Sequence, residues 1–212
     1  MGDPRGAKST ALSQARRRLF LIAGECQWSK TALKASDCLE TNRAVQPILK
    51  IWDQGSFERA NLNEEFCFAI SIQNKADWPS VLRPDFQARR LDLYFNDTIE
   101  GAGLATPADI QELFDFGQGW LQEARSDPAR AAIVIHCGAG VSRSAAAGFM
   151  LLSLYFDSYR AAASYLFRTH PHVAPNTLVL RLIFQKLGPA YGVDIFEAIA
   201  QGKQDASKTD RQ

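Results

Sequence analysis

The sequence predicts an α/β fold of three layers, a central and mostly parallel sheet of about four strands flanked by helices. Short apolar runs alternate with longer segments of helical period from residue 45 onward. One run, at 132–137, is apolar on both faces, as a central parallel strand should be. Helix-start signals fall between these runs.

Residues 1–44 lack any sustained strand pattern and are expected to form an N-terminal extension that packs on the domain or is partly disordered. Leu12, Ala15, Leu19, Ile22 and Ala23 recur at helical spacing beside a basic face, which alternatively suits a docking or membrane-surface helix. Arg16, Arg17 and Arg18 ahead of LFLIAG imitate an export signal, but Glu25 ends the apolar stretch after six residues.

The domain itself is expected over 45–200. PILKIW (47–52) and FCFAISI (66–72) read as strands, with a short helix between them capped by Ser56 and ending at Asn61. RLDLYF (90–95) is the third strand and AIVIHC (132–137) the fourth. Thr106, Pro107 and Asp109 open a helix that carries Ile110, Leu113, Phe114, Phe116 and Leu121. The segment 144–156 is apolar nearly all round, which calls for a helix buried in the middle of the domain. Asn176 caps a further helix closed by Gly188 and Pro189, and the tail 201–212 is polar and expected to be loose. In such a sheet, ligands sit at the carboxyl ends of the strands.

Composition narrows the function. In 212 residues, 46% are hydrophobic, too many for a chain disordered throughout. Lys+Arg 24 against Asp+Glu 23 leaves no basic footprint for nucleic acid. The longest apolar runs, at 19–24 and 148–152, fall far short of the ~20 residues that cross a bilayer, so no integral membrane association is expected. Cys26, Cys38, Cys67 and Cys137 are scattered, which fits a reducing, cytoplasmic setting better than a disulfide framework or a zinc cluster. Neither a metal nor a cofactor is expected.

The chemistry concentrates where the most buried strand ends, at IHCGAGVSRS (135–144). Cys137 closes the strand, and Arg143 follows after five residues, in the first turn of the next helix. A loop of that length, relaxed by Gly138 and Gly140, can curl so that its amides converge on one anion of phosphate size. The phosphate-binding set is Gly138, Ala139, Gly140, Val141, Ser142 and Arg143, whose guanidinium can fork two hydrogen bonds to two oxygens beside a helix N-terminus. The same groups face the Cys137 sulfur and favour its thiolate, making it a nucleophile rather than an inert core cysteine. A nucleotide loop is excluded by the missing P-loop lysine and the missing third glycine.

HCGAGVSRS resembles the signature His-Cys-x-x-Gly-x-x-Arg-Ser of the cysteine-dependent protein tyrosine phosphatases, in its dual-specificity form. The surroundings, LDLYFND, the alanine-rich helix and PHVAPN, are similar to small predicted bacterial tyrosine-phosphatase-like proteins, over about Pro47 to Gly202. The resemblance implies hydrolysis of phosphotyrosine, or of phosphotyrosine, phosphoserine and phosphothreonine, through a phosphocysteine on Cys137. The substrate is then a phosphorylated protein or a small phosphomonoester. It also implies that Ser144 donates to the cysteine sulfur, although a helix-start cap would explain that residue as well. His136 is read as a structural residue that orients the loop through local hydrogen bonds.

The leaving oxygen needs a proton, and Asp97 at the end of the third strand stands at the sheet edge that carries Cys137. The resemblance places its acid on the same loop, while the bland alternative is a turn-forming Asp beside Asn96. Asp92 is the runner-up; Asp109 is taken by its helix cap and Asp115 lies on a helix body. IEGAGLATP (99–107) serves either as a lid or as a surface loop. WPS (78–80) imitates a Trp-Pro-Asp loop but has Ser80 in place of the acid, and reads as a turn. No lysine occupies the variable cradle positions, where phosphoinositide-cleaving members of the resembled family often carry one, so the resemblance implies a substrate other than a highly charged inositide. Two other classes compete: a phosphate-recognising module without catalysis, and a thiol redox or arsenate-reductase-like enzyme pairing Cys137 with Cys67.

Overall fold

Four strands, β1 (Leu49–Asp53), β2 (Phe68–Gln73), β3 (Arg89–Tyr94) and β4 (Ile133–Cys137), form a parallel sheet in the spatial order β1-β4-β2-β3. The structure is a computed structural model that describes residues 46–60, 66–76, 89–127, 131–191 and 194–209. The N-terminal extension at 1–44, Asn61 and the turn at 78–80 lie outside the described residues. β4 and β2 are the inner strands and every residue of both is buried, which is why their sequences run apolar without alternation. Registers of Leu49 with Ile133, Phe68 with Ile133 and Phe68 with Arg89 bring the carboxyl ends of all four strands to one edge.

Six helices accompany the sheet: α1 (Gln54–Arg59), α2 (Pro107–Ser126), α3 (Arg143–Phe156), α4 (Tyr159–Thr169), α5 (Thr177–Leu187) and α6 (Ile195–Thr209). Strand alternation divides them. Ile133, Ile135 and Cys137 of β4 join the large core with α2 to α6, whereas Ala132 and Val134 meet Phe57 of α1 on the other face. The three layers expected from sequence are therefore present. α3 fills the middle, with every residue from Arg143 to Leu154 buried. Among the described residues no helix is long and apolar enough to cross a membrane.

The start of α2 is as the sequence predicts: Thr106 Oγ1 accepts from Asp109 N (3.3 Å) and Asp109 Oδ2 accepts from Thr106 N (2.7 Å). Asn176 caps α5 by accepting from Val179 N (3.1 Å), and Gly188 ends it. Two expectations are corrected. α1 is capped by Asp53, whose carboxylate accepts from both Ser56 N (2.9 Å) and Ser56 Oγ (2.5 Å), so Ser56 is a donor inside the helix. The tail from Gln201, expected to be loose, continues α6 to Thr209, because Gly202 lets α6 settle on α4: a Cβ there would lie 2.8 Å from Ala163 Cβ.

β1 is an edge strand, and two polar side chains, Tyr165 of α4 and His170 just after it, reach its outer side. The Ile51 N–H, which points away from β4, donates to His170 Nε2 (3.2 Å), and Tyr165 Oη donates to the Pro47 carbonyl (2.6 Å).

Candidate active site

The Cys137–Arg143 loop is held from outside on two sides. Gln54 N donates to Gly138 O (3.1 Å), Ala174 N to Val141 O (2.9 Å) and Asn176 N to Ser142 O (3.2 Å). In a trans peptide the C=O and the following N–H point opposite ways, so tying these carbonyls outward turns the amides of Ala139, Ser142 and Arg143 inward. Gly140 has φ 69°, and a Cβ on it would come within 2.6 Å of Asp53 N and Trp52 C. The loop is thus pressed against the end of β1 at the one residue that can be a bare backbone there.

Cys137 is 1% exposed, with its sulfur 3.2 Å from Ser144 Oγ. Burial alone would push this thiol up. The Ser144 hydroxyl, the amides of Ser144 and Gly140, and the Arg143 charge together outweigh burial and hold it below its ordinary value. Ser144 therefore faces the sulfur. Ser142, at the N-cap position, makes no side-chain cap either.

Arg143 is 4% exposed, and its guanidinium is oriented from behind. Nη1 donates to Asn74 Oδ1 (2.9 Å) and to the Phe95 carbonyl (2.9 Å). Nη2 lies 3.5 Å from where a Cβ on Gly138 would be, and Nε has no hydrogen-bond partner among the described residues. One corner of the guanidinium is pinned to the ends of β2 and β3, and the Nε–Nη2 edge is left to meet two oxygens of an anion in the loop. Sequence reasoning misses both Asn74 and Phe95. The available signal is position, since Asn74 follows β2 directly on the same sheet edge as Asp97.

Asp97 reaches this site. Its Oδ1 accepts from Ser142 Oγ (2.7 Å) and Asn176 Nδ2 (3.0 Å), and its Oδ2 is 3.8 Å from Arg143 Nε. The segment after it is closed at its base by Asn96, which donates from N to Gly103 O (2.7 Å) and from Nδ2 to Ala102 O (2.9 Å). Asp92 belongs elsewhere: it pairs with Arg90 (2.6 Å), and strand alternation puts it on the α1 face, opposite Cys137.

His136 departs from expectation. Its ring stacks on Phe57 (centroids 3.8 Å apart) in a fully buried position, and neither ring nitrogen has a hydrogen-bond partner among the described residues. Alternation again explains this, because the side chain before Cys137 must point to the opposite face of the sheet, into an apolar cluster. Burial, helped by the Arg90 and Arg143 charges, lowers its pKa to about 4. It is structural through packing rather than through loop hydrogen bonds. Cys67 is also misplaced for its suggested role. Its N–H bonds Ala132 O at the amino end of the sheet, five residues from Cys137 along β4, or about 17 Å at ~3.3 Å per residue, which forbids a disulfide.

The sequence matches no family model and no curated protein. Solved structures do match the fold. The human tyrosine phosphatase-like serine/threonine/tyrosine-interacting protein superposes with a TM-score of 0.51 at 20% identity, over 67% of this chain and 92% of that one. Human DUSP28 gives 0.52 at 16% identity, over 70% of this chain and 93% of its own. The fold is that of the dual-specificity phosphatases. The Yvh1 phosphatase domain from Chaetomium thermophilum agrees, with a TM-score of 0.50, 18% identity, and coverage of 68% of this chain and 95% of that domain. On this dual-specificity phosphatase fold, the helix-flanked sheet carries Cys137, Arg143, Ser144 and Asp97 at one edge.

Proposed function

We propose that this protein is a metal-independent phosphomonoesterase, acting on phosphotyrosine or on phosphotyrosine, phosphoserine and phosphothreonine through a phosphocysteine. The observation that carries the reading is the Arg143 guanidinium, pinned at Nη1 by Asn74 and Phe95 while its buried Nε makes no hydrogen bond among the described residues, beside a thiol held below its ordinary pKa. In the first step the Cys137 sulfur attacks phosphorus in line, and the bond to the leaving oxygen breaks as Asp97 gives that oxygen a proton. Arg143 and the amides of the 138–142 loop hold the three equatorial oxygens throughout. In the second step Asp97 takes a proton from water, the water oxygen attacks phosphorus, and the thiolate leaves toward the Ser144 hydroxyl. The absence of lysine from the cradle favours a substrate with one phosphate over an inositol polyphosphate. The scattered cysteines fit work in the cytoplasm.

The test is hydrolysis of p-nitrophenyl phosphate in chelator, with and without vanadate. Vanadate-sensitive turnover that disappears in Cys137→Ser is expected. A second reading, phosphate recognition without turnover, is suggested by one structural neighbour, the tyrosine phosphatase-like interacting protein. Under that reading, folded wild-type protein binds phosphopeptide and leaves it intact.

A further inference from the structure

Asn176 is 7% exposed and applies each of its polar groups to a different part of the site. Its Oδ1 caps α5 at Val179 N (3.1 Å), its backbone N–H holds Ser142 O (3.2 Å), and its Nδ2 donates to Asp97 Oδ1 (3.0 Å). Capping needs only the oxygen, and Asp or Ser would supply it equally well. The amide nitrogen is therefore surplus to the helix and serves Asp97. Ser142, which caps nothing, donates to the same Oδ1 from the cradle side (2.7 Å). Two donors from two elements fix one carboxyl oxygen, and Oδ2 lies 3.8 Å from Arg143 Nε.

We propose that Asn176, with Ser142, is a positioning residue that clasps Asp97 in place beside the cradle before substrate arrives, so that no lid needs to close to deliver the acid. The inference rests on the reading of Asp97 as the proton donor. Closure of the Asp97 loop by Asn96 at its base supports it, since the residue then stands on a segment tied at both ends.

The experiment compares leaving groups on the full chain. Nitrophenolate departs without a proton, whereas the phenolate of phenyl phosphate needs one. Asn176→Asp keeps the capping oxygen and turns the donor into a carboxylate facing Asp97. We expect kcat on phenyl phosphate to fall about 10- to 100-fold, the scale of a misplaced catalytic group. On p-nitrophenyl phosphate kcat should change by less than about 3-fold, because only an interaction used in protonating the leaving group is lost. In an Asp97→Asn background Asn176→Asp should cost nothing further, since the residues act as one unit. Asn176→Ser, which keeps a capping oxygen and removes the amide nitrogen, gives the same selective loss and stands in if Asn176→Asp does not fold. Equal losses on both substrates, an additive loss in the double variant, or no loss from either single variant overturns the clasp. Failure of the underlying reading shows earlier and separately: wild type without Cys137-dependent turnover, or Asp97→Asn as fast as wild type on phenyl phosphate, removes the acid and the clasp with it.

Discussion

Ser144 is the residue whose two sequence roles the structure separates. Its hydroxyl faces the Cys137 sulfur at 3.2 Å and contributes more to lowering that thiol than any other group. Ser144→Ala should therefore move the pH midpoint of iodoacetamide alkylation upward, with slower release of phosphate from the trapped phosphoenzyme. A midpoint unchanged from wild type would leave the thiolate to the loop amides and Arg143 alone. Cys137, Arg143 and Ser144 are legible in the sequence because one short turn brings them together and their spacing is itself the geometry. Asp97 is legible by a longer route, since parallel strands must end on one edge. Asn74 and Asn176 are not. They meet Arg143 and Asp97 across 69 and 79 residues, and nothing in an asparagine after a strand or before a helix announces a distant partner. His136 misleads for the opposite reason: its neighbours in sequence belong to the site, while its side chain belongs to the other face of the sheet.

At the scale of elements, the strands lie within one or two residues of their expected bounds, and the inner two are plain because they are buried at every position and apolar at most. The buried helix α3 is equally plain. α4 and α6 carry no such signal. α4 follows α3 after a break at Asp157, which has φ 52°, and its buried face mixes Ala162 and Ala163 with Tyr159, Tyr165, Leu166 and Phe167. α6 contains a glycine that reads as a breaker in sequence and acts as a contact point in space. The junction of β1 with the cradle gives the sharpest test at this scale. Gly140→Ala places a methyl against the β1 backbone at a left-handed dihedral, and should cost about 2–4 kcal/mol or displace the loop. Denaturant melts and p-nitrophenyl phosphate turnover, measured on the same preparation, should both fall. Retention of full activity would mean that the loop does not depend on its contact with Trp52 and Asp53.

For the whole molecule, two buried histidines contribute to the response to acid. Burial lowers both His136 and His170 from 6.5 to about 4, and His172 and Lys50 add to the effect at His170. The unfolded chain takes up two protons as pH falls through 6.5, and the folded chain refuses them until about 4. Their contribution to stability is complete above pH 6.5 and is lost progressively between there and 4, at no more than about 1.4 kcal/mol per pH unit for each histidine. Urea midpoints should thus be lower at pH 5 than at pH 7.5, and His170→Gln should flatten the difference. Equal midpoints at the two pH values would show that both rings titrate alike in the folded and unfolded chains.

The same His170 has a consequence for how molecules meet. An edge strand with bare N–H and C=O groups is a template on which another chain can lay an extended segment. On β1 the Ile51 N–H and the Pro47 carbonyl are already engaged by His170 and Tyr165, so at those two positions the flank is closed to an added strand.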